Sequence, residues 1–212
     1  MKSLVIDLRG NEGGLSVGDI VAGYLVQGPL RLTNYHQYMR FKKVPTDVLP
    51  YLSTWDKSFS DWSQWTKPAQ WMKQGGNTFF PMTRYEPETG DTLEPKPNGF
   101  KGQVFVLVDS ANSSATFEFE RLVQSYHLGT LVGEPTGGNL RGINGGAFYF
   151  LELPHSHIEV DLPLIAEFPE APQPNRGLVP DLVIYPSRED LALGRDAVLD
   201  RVKRLIAKRE TQ

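Results

Sequence analysis

The segment Asp109-Ser110-Ala111-Asn112-Ser113-Ser114-Ala115-Thr116 concentrates hydroxyl groups where an apolar run ending at Val108 meets a helical pattern ending near Tyr126. A serine at such a junction is ordinarily an N-cap, its oxygen accepting from a free N–H of the first turn. The same place suits a nucleophile, because the helix dipole and unpaired N–H groups stabilise negative charge developing in acyl transfer. A second junction, Asp7-Leu8-Arg9-Gly10-Asn11-Glu12-Gly13-Gly14, also follows an apolar run and precedes a helical pattern. Its glycines permit positive φ and leave bare N–H groups to face an anion. Taken alone, that loop also fits a phosphate cradle or an ordinary turn, although neither the Walker spacing nor GxGxxG is formed.

Other reactive groups are dispersed. Of the four histidines, His36 lies in an irregular region, His127 ends a helical pattern, and His155 and His157 sit on a predicted turn. Surface or structural roles are expected of all of them, with His36 the choice if one were to act as a base. No His, Asp and Glu grouping has metal-ligand spacing, so no metal and no cofactor is expected. With no cysteine in the chain, thiolate and disulfide chemistry are excluded.

These residues must be positioned by strands and helices. The runs Ser3–Leu8, Val104–Val108 and Thr130–Val132 are short and β-branched, and each is predicted as a strand buried on both faces. Ile20, Val21, Tyr24 and Leu25 share one helix face; Ala115, Phe119, Leu122, Val123 and Tyr126 share another. Strands alternating with helices predict an α/β fold with a mostly parallel sheet under covering helices. Ala147–Leu153 and Ile158–Leu162 flank the turn Pro154-His155-Ser156-His157 and predict a β-hairpin. Pro163–Pro180 reads as a surface connection. Ser187, with Asp190 three residues on, predicts the start of a terminal helix carrying Leu191, Val198, Val202 and Leu205.

Residues 30–100 read as an irregular, aromatic-rich insertion. Leu52, Trp55, Phe59 and Trp62 predict an amphipathic helix, and Trp65 and Trp71 follow it. These rings either line a substrate groove or cap a satellite core; the core is the expectation, because aromatics at helical spacing pack inward. Gly75-Gly76-Asn77 and Glu86–Asn98 read as turns and loops.

The 212 residues, 40% hydrophobic and 22% charged, suit one domain, 1–212, with a real core. A net charge of −3 argues against a nucleic-acid partner, which needs a basic surface. No apolar run approaches the roughly 20 residues that span a bilayer. Met1-Lys2 leads directly into an apolar strand, so the chain is expected to begin inside a larger domain.

Taken together and in order, the motifs resemble a known family. Leu4–Gly14 is similar to the Asp-Leu-Arg-Gly-Asn-x-Gly-Gly motif of the tail-specific (C-terminal processing) proteases, peptidase family S41. Val104–Thr116 resembles that family's strand and Ser-Ala-Ser nucleophile segment. Leu131–Gly138 resembles its Gly-Glu-Pro-Thr motif, and Gly177-Leu178-Val179-Pro180-Asp181 its Gly-(Ile/Val)-x-Pro-Asp motif. The resemblance implies a ClpP/crotonase-like core, a peptide or protein substrate, and a parent acting in the periplasm or otherwise outside the cytoplasm. It assigns the nucleophile to Ser114, with Ser113 as the runner-up. The oxyanion donors would be the N–H groups of Gly14 and Ala115, with Gly13, Gly137, Gly138 and Asn139 lining the substrate.

One departure bears on mechanism. The family's lysine base follows the Gly-Glu-Pro-Thr motif, where this chain has Asn139, 25 residues after Ser114. An amide cannot take that proton, and nearby Arg141 stays protonated. A second branch of the family uses a histidine upstream of the first motif, which here would precede Met1, and a glutamate shortly before the last. For that glutamate Glu170 is the candidate, with Glu167 further back. The resemblance therefore implies a histidine-dependent serine peptidase that is incomplete, and weak or inactive, in isolation. Two rivals use similar architecture: a binding module for apolar ligands such as retinoids, or for peptides, with the tryptophans as a ligand wall, and a crotonase-like acyl-CoA enzyme.

Overall fold

The computed structural model of the chain describes residues 2–32, 35–66, 72–74, 77–84 and 92–210. In chain order the elements begin with β1 (Ser3–Asp7), α1 (Gly18–Gly23), β2 (Leu30–Arg31), β3 (Tyr35–Met39) and β4 (Leu52–Ser53). Then come β5 (Met72–Gln74), β6 (Asn77–Pro81), β7 (Thr92–Leu93), β8 (Gln103–Val108), α2 (Ser114–Ser125) and β9 (Thr130–Gly133). The rest are β10 (Ile143–Glu152), β11 (Glu159–Pro169), β12 (Leu182–Val183), α3 (Arg188–Ala192) and α4 (Ala197–Glu210). They form two compact units: Met1–Leu32, Thr92–Leu140 and Asn175–Gln212 make the first, Thr33–Asp91 and Arg141–Pro174 the second. The second unit thus joins most of the region read as an insertion to the hairpin that follows residue 140.

In the first unit a parallel four-stranded sheet runs in the order β1-β8-β9-β12. Asp7 lies opposite Leu107, and Val108 opposite Gly133, so β1, β8 and β9 end level with one another. Open α/β sheets bind their ligands beyond that carboxyl edge. The central strands β8 and β9 are buried, as their apolar runs predict. β1 is only half-buried, because it is an edge strand, bonded among the described strands to β8 alone. On one face Phe105, Leu107 and Val132 pack with Val198 and Val202 of α4. Val106 and Val108, fully buried too, point to the opposite face by the two-residue alternation of a strand.

Three local expectations fail in this unit for identifiable reasons. Ile20, Val21 and Tyr24 of the α1 segment are exposed, while Ala22 and Gly23 are buried. A Cβ on Gly18 would stand 2.8 Å from the Cβ of Phe119, so the helix approaches α2 through its small residues and turns its large ones outward. At the C-terminus the capping box of Ser187 and Asp190 forms as predicted. The helix it starts is short, however: Gly194 adopts φ +61°, and α4 restarts with Asp196 accepting the Leu199 N–H at 2.9 Å. Thr92 and Leu93, within the segment read as a loop, pair with β2.

The second unit is a six-stranded antiparallel sheet, ordered β4-β10-β11-β3-β6-β5, centred on the predicted hairpin. β11 runs on to Pro169, so Pro163–Pro169 is strand and not connection. Pro163 is tolerated because it sits opposite Phe148 at a register shift, where the ladder is already interrupted. The helix predicted across Leu52–Trp62 does not form; a 3-10 turn at Lys57–Ser60 takes its place. Short polar side chains divert the backbone there: Asp56 accepts from the Ser58 N–H at 2.9 Å and Asp61 from the Ser63 N–H at 3.0 Å. Phe59 and Trp62 stack and fill the core with Met39, Ala147, Tyr149 and Ile165. Trp65 packs against that core, whereas Trp55 is exposed. Trp71, Gly75, Gly76 and residues 86–91 lie outside the described residues.

Candidate active site

The site is built from three loops that leave the carboxyl edge of the parallel sheet. The first continues β1, with the Leu8 N–H donating to the Leu107 carbonyl at 3.0 Å before the chain turns at Gly10. Gly10, Gly13 and Gly14 all have positive φ, at +73°, +106° and +127°. Gly13 is held by its own N–H donating to Asn11 Oδ1 at 2.9 Å. A Cβ on Gly13 would stand 2.6 Å from the Cβ of Ser114 and 2.9 Å from the Ser113 carbonyl oxygen. The loop therefore backs directly onto the start of α2, and only glycine fits at the contact.

The second loop separates the two candidate serines. Ser113 occupies the N-cap position, yet its side chain does not cap α2. Its hydroxyl donates instead to the Glu12 carbonyl at 2.8 Å, joining the two loops. Ser114 is exposed, opens the helix at φ +50°, and its hydroxyl carries no hydrogen bond to a described residue. That conformation costs a non-glycine residue on the order of 1 kcal/mol or more, and such strain persists where the surroundings impose it. Among the described residues, no group accepts from the N–H of Gly14 or of Ala115. A Cβ on Gly13 would lie 3.1 Å from the Ala115 nitrogen, so the glycine loop reaches the unpaired amide at the start of α2.

Asn112, singled out for no role in the sequence, is the residue that assembles these parts. It is fully buried, and its Nδ2 donates to the carbonyls of Leu8 at 2.6 Å and Asn11 at 3.1 Å. Its Oδ1 accepts from the Asp109 N–H at 2.7 Å, and its carbonyl accepts from the Gly137 N–H at 2.9 Å. The side chain of Asn112 thus ties the glycine loop to the serine turn, and its backbone carbonyl adds the third loop. Asp109 adds a link, its Oδ2 accepting from the Gly10 N–H at 2.9 Å. The only sequence signal for Asn112 is its place three residues after Asp109, where an amide can bond back to the turn.

The third loop follows β9. Thr136 pairs with Leu178 twice, its N–H donating to the Leu178 carbonyl and its Oγ1 accepting from the Leu178 N–H, both at 3.0 Å. The Gly-Glu-Pro-Thr and Gly-Leu-Val-Pro-Asp segments are thereby zipped together, and Asp181 accepts from the Leu131 N–H at 2.8 Å. Gly138 packs on the ring of Phe117. Asn139 donates from Nδ2 to Asn175 Oδ1 at 2.8 Å. Glu170 belongs to the second unit, where its exposed carboxylate lies 3.4 Å from His36 Nε2. The histidine named as a possible base and the candidate glutamate are therefore neighbours of each other. His127 and His157 are exposed at positive φ, in keeping with turn positions.

Charge is concentrated at the root of the glycine loop. Hydrogen bonds from Arg9 hold the carboxyls of Asp7 and Asp196 below the usual carboxylate range, and both carboxylates raise the pKa of Arg9. One further acid lies beneath the serine turn. Glu120 of α2 is 0% exposed, and neither of its oxygens has a hydrogen-bond partner among the described residues. Burial, reinforced by the negative charge of Asp109, pushes its carboxyl up to about 8, so it is mainly protonated at neutral pH.

Comparison with known proteins returns one family: the profile of Peptidase family S41 matches residues 1–145. No curated protein matches the chain. Among solved structures, mature CPAF complexed with lactacystin aligns over 98% of this chain and 44% of its own, with a TM-score of 0.61 and 17% identity. A candidate peptidase from Parabacteroides merdae aligns over 96% of this chain and 51% of its own, with a TM-score of 0.53 and 21% identity. The chain spans about half the length of these structures. No helix among the described residues is long and apolar enough to cross a membrane.

Proposed function

The chain belongs to peptidase family S41, and on that premise we propose that it carries the nucleophile and oxyanion hole of a serine peptidase acting on peptide or protein substrates. One observation carries the reading: Ser114 stands exposed at the start of α2 in a strained conformation, its hydroxyl without a hydrogen-bond partner among the described residues, against a glycine loop whose Gly14 N–H, like that of Ala115, has no acceptor among them. Ser113, the rival, has its hydroxyl engaged by the Glu12 carbonyl.

In the proposed reaction Ser114 Oγ forms a bond to the scissile carbonyl carbon while its proton passes to a base. The oxygen, now negative, accepts from Gly14 and Ala115, aided by the helix dipole. The C–N bond then breaks, the leaving amine takes the proton, and water hydrolyses the acyl ester to restore the serine. Asn139 stands where a lysine base would be and has no basic nitrogen, so the lysine route is not the one proposed.

The test reads phosphonylation of the serine, its proton passing to whichever base is present or to buffer, and so does not depend on peptide turnover. A fluorophosphonate probe forms an Oγ–P bond and expels fluoride. We expect labelling of the wild type, loss of it in Ser114→Ala, and its retention in Ser113→Ala. Equal labelling of wild type and Ser114→Ala would refute the assignment. Lactacystin, named with the CPAF structure, serves as a second probe.

A further inference from the structure

The glycine loop presents its amides only if its root is held still, because a run with three positive-φ glycines has wide conformational freedom of its own. From the serine side the root is held by Asn112 and Asp109. From the opposite side it is held by Arg9, the residue just before Gly10. The Arg9 guanidinium donates from Nε and Nη2 to Asp7 at 2.9 and 2.7 Å, and from Nη1 and Nη2 to Asp196 at 2.8 and 2.7 Å. Its backbone N–H also donates to Asp7, at 3.2 Å. Asp196 is itself immobilised, since its Oδ1 accepts from the Leu199 N–H of α4 and that helix is anchored in the core by Val198 and Val202.

Resting on the reading of Gly14 as an oxyanion donor, we propose that Asp196 is a positioning residue for the glycine loop, acting through Arg9, so that helix α4 sets the geometry of the oxyanion hole. The two oxygens of Asp196 meet the guanidinium as a fork meeting a fork, a geometry that fixes direction as well as distance and that lysine cannot reproduce. The pair is partly exposed, with side chains 26% and 35% accessible, so its contribution to global stability is small while its orienting effect is local.

Asp196→Asn isolates this role. Asparagine caps a helix about as well as aspartate, so α4 keeps its start while the charged clamp on Arg9 is lost. Two readouts are made on the full chain: hydrogen exchange of a peptide covering residues 10–15, and fluorophosphonate labelling as a function of probe concentration. We expect faster exchange at 10–15, and a limiting labelling rate about tenfold lower or more, as loss of alignment dictates. The half-saturating probe concentration and the thermal midpoint should stay near those of the wild type. Arg9→Lys should behave alike, and the double variant should lose little more than either single one. Unchanged exchange and labelling in Asp196→Asn would overturn the proposal, as would a loss that merely follows a fall in the thermal midpoint. If the wild type itself fails to label, the Ser114 reading falls, and exchange alone decides: a rise confined to residues 10–15 supports the clamp and no rise refutes it.

Discussion

Glu120→Gln replaces the buried acid beneath the serine turn with a neutral isostere, and its effect can be worked out from the environment of the carboxyl. The folded chain holds this proton up to about pH 8, whereas an unperturbed glutamate releases it at 4.5. Between those values the folded state binds more protons than the unfolded state, so stability falls as pH rises. The slope is at most about 1.4 kcal/mol per pH unit, and across the window the loss reaches at most about 5 kcal/mol. Below the window both states are protonated, above it both are ionised, and the contribution is flat on either side. Glutamine does not titrate. The stability of Glu120→Gln relative to wild type should therefore be near zero at about pH 4 and rise to a few kcal/mol in favour of the variant at about pH 9. Urea unfolding at a series of pH values measures this difference directly. A difference that stays flat from acid to alkali would refute the reasoning and mean that the carboxyl finds donors or water that the structure does not show.

Two other substitutions probe the assembly of the site. Asn112→Ala strips side-chain partners from the part-buried carbonyls of Leu8 and Asn11 and from the Asp109 N–H; at roughly 1 kcal/mol for a typical hydrogen bond, and less where water reaches the freed group, the loss should be about 1–3 kcal/mol, read as a lower urea midpoint. Loss of less than about 1 kcal/mol would mean that water replaces the amide without cost. Gly13→Ala places a Cβ against Ser114 at positive φ and should abolish fluorophosphonate labelling even if the thermal midpoint falls by only a few degrees. Labelling at the wild-type rate would show that the loop and helix start can separate without consequence.

The parts of the site legible in the sequence were those written in contiguous residues. An apolar β-branched run stopping at Val108, followed by small and polar residues and then a helical pattern, can be little other than a strand, a turn and a helix. The glycines of 10–14 announce unusual backbone for the same reason. What could not be read was anything set by partners distant in sequence. Asn112 earns its place through Leu8 and Asn11, about a hundred residues away, and nothing in Asp109–Thr116 announces that. The difference between Ser113, whose hydroxyl is engaged by the Glu12 carbonyl, and Ser114, whose hydroxyl is not, is one that periodicity does not reveal. α1 misled because its apolar spacing is genuine, while the decisive contact is Gly18 against Phe119, a close approach that hydrophobic pattern ignores. The tryptophans misled in the other direction: Phe59 and Trp62 are core residues as expected, but Asp56 and Asp61 bond to their own backbone and keep the segment out of a helix.

The contact between Gly13 and Ser114 also has a meaning at the level of the gene. Every amino-acid replacement that a single base change can make in a glycine codon introduces a Cβ, and any Cβ at position 13 strikes the Cβ of Ser114. Silent changes apart, the codon has no neutral neighbours, and no stepwise route leads from this glycine to another residue while Ser114 keeps its place. Variation in a population carrying this gene should therefore skirt codon 13 and accumulate at exposed positions on either side, Glu12 and Leu15 among them. Deep mutational libraries would register the same constraint as depletion of every replacement at this column.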